Sequence, residues 1–492
     1  MVKVTSVKKF AIILVALLIC ATVVFAACDN GEFKPVSKPA AGEVDSNGGI
    51  AVRYGEWLYY VNGYTSDVSA ENTYVDVKDA PRIGSIVRIK LEELGNLFAI
   101  AEDEDETEKS DKFAELVRTK AETVVPKIYI SNNTSSTQLT GIHIFGDRIY
   151  ITTPNDALTA SGNPRTSELT LMSFKLDGSD RKVHYTFTSN SAEIWLDEVD
   201  GKVVATYFTE SQLHTLDVAN NNDTLVELDV EEQYKDIDGI NNVSSLKWDY
   251  AGKSAFFINA IGQICKLPIG GTEYTVVVDN DTYEIHSGHI HSDNATKYEI
   301  QSVNNGEVYY TKTKSNSTES AQRLYWTNGT ATEEQVALDS NNTSAIGWKG
   351  GKVIATFSEN GYYGIELITK QDNSEKTTIL NREYNTNSIS NLRVEGDTLY
   401  YTADNVAYTI DLVKATSEQG NDEDYLGEAY AKSATSTGWA AADFLNVKTE
   451  DGEIHYMFTV ANNSISVVKF DVETKKNSET AVALTLLPES DD

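Results

Sequence analysis

Residues 305–314 read NGEVYYTKTK: a polar turn carrying Gly306, then a segment of paired tyrosines among β-formers. The same signature recurs along the chain. It is YGEWLYYVNG at 54–63, FGDRIYITTP at 145–154, DGKVVATYFT at 200–209 and AGKSAFFINA at 251–260. GGKVIATFSE at 350–359, EGDTLYYTAD at 395–404 and DGEIHYMFTV at 451–460 complete eight copies. A β-like segment precedes each turn, and the turn glycine supplies the positive φ that tight hairpins favour. Between Gly146 and Gly452 the copies recur at a mean spacing of 51 residues.

A third strand follows the hairpin, as in SIVRIKLEEL at 85–94, LTLMSFKLDG at 169–178, QLHTLDVANN at 212–221 and SISVVKFDVE at 464–473. A fourth follows in KVHYTFT at 182–188 and YTVVVDN at 274–280. Four short antiparallel strands in about 50 residues make one blade of a β-propeller. The expectation is an all-β chain, a β-propeller of eight four-stranded blades over residues 50–492. Seven blades is the alternative, if the long first unit or the short last one merges with a neighbour. Adjacent pairs such as Tyr59-Tyr60, Tyr309-Tyr310 and Tyr400-Tyr401 point to opposite faces of a strand and are expected in the core.

The first interval, Gly55 to Gly146, is longer than the others by about 40 residues and forms an insertion at about 95–130. It holds the acidic run Glu102 to Glu108, then KSDKFAELVRTKAETVV. Phe113, Leu116, Val117, Ala121 and Val124 fall on one helical face, predicting one amphipathic helix packed on the sheets.

The amino terminus reads as an address. Lys3, Lys8 and Lys9 precede an unbroken apolar run from Phe10 to Ala27, the layout of an export signal over residues 1–27. The run ends in Phe25-Ala26-Ala27-Cys28, which resembles the lipobox of bacterial lipoproteins. That resemblance implies a diacylglycerol thioether on Cys28, palmitate-type acylation and cleavage just before it. Each buried methylene of such chains contributes about 0.8 kcal/mol to membrane anchoring. Ordinary secretion with cleavage after Ala26, or a retained anchor, are the alternatives. Residues 28–49 are rich in Gly, Pro and small polar residues and read as a flexible tether.

The chain carries 41 Lys and Arg against 74 Asp and Glu, a formal charge of −33. Such a body repels phosphate backbones, which argues against a nucleic-acid partner. The G-x-S-x-G elbow, the H-E-x-x-H helix and the dinucleotide fingerprint do not occur in it. Gly252-Lys253-Ser254 mimics the end of a phosphate loop, yet Lys247 occupies the place of the first glycine. Cys265, in IGQICKLP, reads as a small buried hydrophobe.

Two clusters are candidate sites. His286, His289 and His291, with Asp293 beside them, fall within eight positions; imidazole binds divalent zinc, nickel or copper. His289 and His291 share a face of an extended chain, and Gly288 permits a bend that brings in His286. Against this stands an exposed polar loop. Trp195, Trp248, Trp348 and Trp439 precede hairpins and could line an axial funnel that stacks on a ligand. Their offsets from the turn glycines differ, so packing between blades is the competing reading.

The Tyr-rich G-x-x-Y-Y repeats resemble the propeller repeats of bacterial extracytoplasmic lipoproteins of unknown function. They are distantly similar to the Tyr-Trp-Thr-Asp propellers of lipoprotein receptors, although Tyr325-Trp326-Thr327-Asn328 falls in a third strand rather than a second. Since propellers host many activities, fold alone decides little. The leading expectation is a non-enzymatic cell-surface lipoprotein, held to the membrane by its lipid and presenting a binding face to an envelope protein or glycan. The alternative is an extracytoplasmic enzyme, a metal-assisted hydrolase or lyase with its site in the funnel. No cofactor is assigned beyond a candidate divalent metal at 286–293.

Overall fold

A computed structural model describes residues 34–63, 83–103, 106–126, 141–162, 164–286, 288–292, 295–314, 323–330, 334–336, 338, 342–359, 362–368, 376–383, 389–403, 406–417, 428–432, 443–449, 452–461, 464–471, 476–477 and 481–486. Among these the strands form eight sheets of four or five strands and one separate two-stranded hairpin. Within each sheet the strands follow chain order, every neighbouring pair antiparallel. The chain therefore completes one meander before starting the next, the all-β order that the repeats predict.

All eight repeats become a hairpin of their own sheet, the first one everywhere but in the first sheet, where the short strand Val44–Asp45 precedes it. In the fifth sheet Thr296–Asn304 pairs with Glu307–Lys314, and Asn304 faces Glu307 across the two-residue turn Asn305-Gly306. Both turn residues have positive φ, 53° and 82°, which is why an Asn-Gly pair stands there. Gly252 and Gly452 hold different places: the first lies in a four-residue loop between Asp249 and Ser254, the second opens its strand.

The second strand of each hairpin carries most of the packing. Trp57–Val61 and Ser254–Ile258 are buried along their whole length, because a neighbouring sheet covers each of their faces. Tyr309 and Tyr310 are both fully buried, yet they belong to different cores. Tyr310 packs with Phe256 and Ile300 toward the fourth sheet, Tyr309 with Val353 and Ala355 toward the sixth. Tyr59 and Tyr60 divide in the same way: the Tyr59 hydroxyl donates to the Leu176 carbonyl at 3.1 Å, and the Tyr60 hydroxyl to that of Leu484 at 2.9 Å. Burial raises the Tyr59 phenol to about 12, with Arg88 opposing the rise.

The last sheet reaches the first. After Ser464–Asp471 its fourth strand comes as two short pieces, Lys476–Asn477 and Val482–Ala483. The chain then crosses to Asn62, whose Nδ2 donates to the Leu486 carbonyl at 2.7 Å and whose Oδ1 accepts the Leu486 N–H at 2.8 Å. One core joins Tyr60, Val61 and Ile86 of the first sheet to Leu445, Phe458 and Val467 of the eighth.

The insertion departs from expectation. It holds two helices, α1 (Leu91–Asp103) and α2 (Glu106–Lys120), where the sequence predicts one. The strand Ile86–Lys90 of the first sheet stops at Lys90 and the chain turns straight into α1, so residues 91–94 are helical rather than extended. Gly95 and Asn96 interrupt the apolar pattern there and hide the helix. Phe113 and Val117 are buried, Leu116 and Ala121 flank them, and Val124 lies beyond α2 in the strand Glu122–Val125. Lys120 bridges the two helices to Glu93 at 2.8 Å. Neither helix is long and apolar enough to cross a membrane, nor is any other helix among the described residues.

Residues 34–49, read from sequence as part of a free tether, are laid on the sheets. The Val36 N–H donates to the Asp177 carbonyl at 3.0 Å, and Arg88 Nη2 to the Ser37 carbonyl at 2.7 Å. Val44–Asp45 adds a strand to the edge of Ala51–Tyr54. Asn47 then clamps Ile144, accepting its N–H at 2.6 Å and donating to its carbonyl at 3.2 Å.

Candidate functional site

The first strands of the fourth to seventh sheets share a feature missing from the register of the other four. Ser244–Asp249, Thr296–Asn304, Asn342–Gly347 and Ser390–Glu395 each carry one extra residue against the second strand. The matching strands of the first, second, third and eighth sheets, Ala51–Tyr54 in the first, pair without a shift. A bulge bends its strand and re-aims the side chains beside it. Here the four bulged strands border a common cavity of about 270 Å³.

The walls come from Lys247–Ala251, Gln301–Asn304, Ile346–Gly347 and Leu392–Val394, all at or after the bulges. Gln301 is itself the extra residue of its strand. Hydroxyls next to the bulges stitch the strands together. Ser245 Oγ accepts the Ile300 N–H at 2.9 Å, and Ser302 Oγ accepts the Gly347 N–H at 2.7 Å. Gly347 must be glycine: a Cβ there would come within 1.9 Å of the Tyr309 ring. Asn304 Nδ2 donates to the Trp348 carbonyl at 2.8 Å and the Gly396 carbonyl at 3.2 Å, tying the fifth sheet to the sixth and seventh.

The charges of this region are arranged unevenly. Asp249 is buried and committed, its carboxylate accepting the N–H groups of Gly252 at 2.9 Å, Asn305 at 3.0 Å and Gly306 at 2.5 Å. Glu307 accepts from Gly350 N–H and the Tyr309 hydroxyl. Asp397 accepts from Lys349 Nζ and Trp348 Nε1, and the Lys349 bond chiefly holds its carboxyl below the usual range. Asp197 pairs with Lys253 at 2.9 Å. Lys247 and Arg393 line the cavity as cations in a chain of charge −33. The Arg393 guanidinium lies 4.7 Å from the Tyr400 ring centre.

Of the three candidate tryptophans among the described residues, only Trp248 lines this cavity. Trp195 meets it edge to face at 5.8 Å and packs with Val204 and Ile269 between the third and fourth sheets. Trp348 is buried in the sixth sheet's hairpin turn against the seventh. Trp439 lies outside the described residues. Tyr250, which no motif singles out, leans on Trp195 at 4.7 Å and is 59% exposed.

The histidines occupy the separate hairpin, Glu284–His286 paired with His289–His291 around Gly288, whose φ is +75°. His286 pairs with His289 and Glu284 with His291, and the register places Glu284, His289 and His291 on one side of the ribbon. The His286 side chain and Asp293 lie outside the described residues. Among those described, no three His, Cys, Asp or Glu side chains stand close enough to hold one ion. The hairpin enters the fifth sheet at Thr296, whereas the cavity is walled by the far end of that strand, toward Asn304. The two candidate sites therefore lie at opposite ends of it. Cys28 lies outside the described residues.

Comparison with known proteins identifies no family: no family model matches, and no curated protein matches. Among solved structures the chain is similar to an oligogalacturonate lyase from Vibrio parahaemolyticus, with 11% identity over 64% of this chain and 87% of that one, at a TM-score of 0.34. The β-propeller domain of the trilobed protease from Pyrococcus furiosus gives 10% identity over 71% and 96%, at 0.33. A putative TolB from Agrobacterium tumefaciens gives 11% over 62% and 84%, at 0.27. Likenesses this distant say nothing of a ligand, so the site is argued from this chain's own residues.

Part of the wall shows a common offset when the repeats are aligned on their turns, although Arg393 does not share it. Lys247, Gln301 and Ile346 each stand five positions before their turn glycine, and Arg393 stands three before Gly396. The tryptophans Trp195, Trp248, Trp348 and Trp439 have no common offset from their turn glycines.

Proposed function

We propose that this chain is a bacterial lipoprotein, anchored outside the cytoplasm through Cys28, whose eight sheets close into a propeller that binds an envelope glycan. Closure is supported by the run of cores between successive sheets and by the Asn62 and Tyr60 bonds that join the last sheet to the first. The anchor is supported by the lipobox-like residues 25–28.

The observation that carries the binding reading is the coincidence of bulges and cavity. Four strands from four sheets are each distorted where they turn side chains toward one space. The lining offers binding chemistry: the cations Lys247 and Arg393, the amides Gln301 and Asn304, the Trp248 indole and the Tyr250 phenol. The lining carboxylate, Asp249, spends its acceptor capacity on three backbone N–H groups, which ill suits it to act as a base.

The test pairs location with binding. Wild-type protein is expected in the membrane fraction with an acylated amino terminus, and Cys28→Ser in the soluble fraction. On an array of envelope glycans, the soluble domain should bind a subset, and Trp248→Ala with Tyr250→Ala should abolish it. A signal that survives both substitutions would refute the cavity as the ligand face.

A further inference from the structure

We infer that the cavity takes an acidic sugar, one uronic-acid residue of a longer glycan, with its carboxylate held between Lys247 and Arg393. This rests on the cavity being the ligand face proposed above, and adds the chemical class of what enters it.

The argument starts from charge. The chain is strongly acidic, and the one carboxylate among the described lining residues, Asp249, accepts three turn amides. Lys247 and Arg393 come from different sheets, the fourth and the seventh, and line the same space. A permanently charged guanidinium fork and an ammonium across a small cleft suit a carboxylate, which can accept from both.

Size and the remaining walls narrow the class. At about 270 Å³ the space is below the roughly 300–1,000 Å³ of clefts that engulf a whole ligand, so it fits one residue of a longer chain. A sugar ring offers an apolar C–H face to an aromatic ring and hydroxyls around its edge. Tyr250 and Trp248 supply the aromatic wall, and Gln301 an amide beside it. The Tyr250 ring is backed by Trp195, so it is held as a platform.

The experiment titrates the soluble domain with a β-1,4-linked glucuronate trimer, with cellotriose as its neutral counterpart, and with triglutamate, following tryptophan fluorescence. The trimer should bind at least ten-fold more tightly than cellotriose, and weaken as salt is raised. Lys247→Ala with Arg393→Ala should erase that preference with the melting temperature kept, and Arg393→Lys should restore part of it. Equal binding of both sugars, lost in Tyr250→Ala, would overturn the acidic-sugar inference and leave the binding face standing. Tighter binding of triglutamate would overturn the saccharide class. Failure of all three probes would overturn the inference too, whereas the glycan array above separately decides the binding face.

Discussion

Asp249 and Gly306 belong to different sheets, yet the carboxylate of one accepts the backbone N–H of the other at 2.5 Å. Because Asp249 also accepts from Gly252 within its own turn, one buried side chain sets the relative position of two neighbouring hairpin turns. A Cβ on Gly252 would come within 2.2 Å of that carboxylate, which accounts for the glycine there without any positive φ.

Asp249→Ala removes the buried acceptor shared by three backbone N–H groups and should cost about 3 kcal/mol in chemical denaturation. Asp249→Asn keeps one acceptor oxygen and should cost less. In both, ligand affinity at the cavity should fall more than in a distant variant of equal stability, since residues 247–251 form one wall.

The junction of last and first sheets hangs on Asn62. Asn62→Ala deletes both bonds to Leu486 and should lower stability by about 2 kcal/mol. Hydrogen exchange offers the sharper reading: amides at 482–486 should lose protection first. Unchanged protection there would show that side-chain packing of Val482 and Leu484 alone holds the segment.

His143 gives the fold a pH dependence. Its ring lies beneath Gly48, where a Cβ would stand 2.9 Å from Cε1, and burial pushes its pKa down to about 4 from an ordinary 6.5. The unfolded chain therefore takes up a proton near pH 6.5 that the folded one refuses until about pH 4. Stability present above pH 6.5 is lost across that window, by at most about 3 kcal/mol. His143→Phe should flatten this part of the profile, read as the wild-type minus variant difference between pH 7 and pH 4.5.

Cys265 sits in an apolar core with Phe257 and Leu267, and burial pushes its thiol up to about 12. At pH 8 iodoacetamide should leave residue 265 unmodified in the native protein and alkylate it in urea, as read by peptide mass spectrometry. Native labelling at the rate of a free thiol would contradict the packing described for this strand.

The eight hairpins were legible because a turn glycine and a tyrosine-rich strand are local signals, decided within ten residues. The burial of Tyr309 and Tyr310 on opposite faces followed from strand alternation alone. The start of α1 at Leu91 did not, because IVRIK runs into LEEL with no Gly, Pro or Asn between them, and the helix shows in the packing of Leu94, Leu97 and Phe98 under the first sheet. The bulges were invisible for another reason: an extra residue is defined against a partner strand, and QSVN at 301–304 reads as ordinary alternation by itself. Lys247 and Arg393 are 146 positions apart, and only the arrangement of four sheets brings them to one space.

Val36, bonded to Asp177, is the eighth residue after Cys28. Eight residues drawn out straight reach no more than about 29 Å. With fatty chains on Cys28, the protein would travel close over the lipid headgroups on a short leash, and could survey only the layer of the envelope lying against its own bilayer.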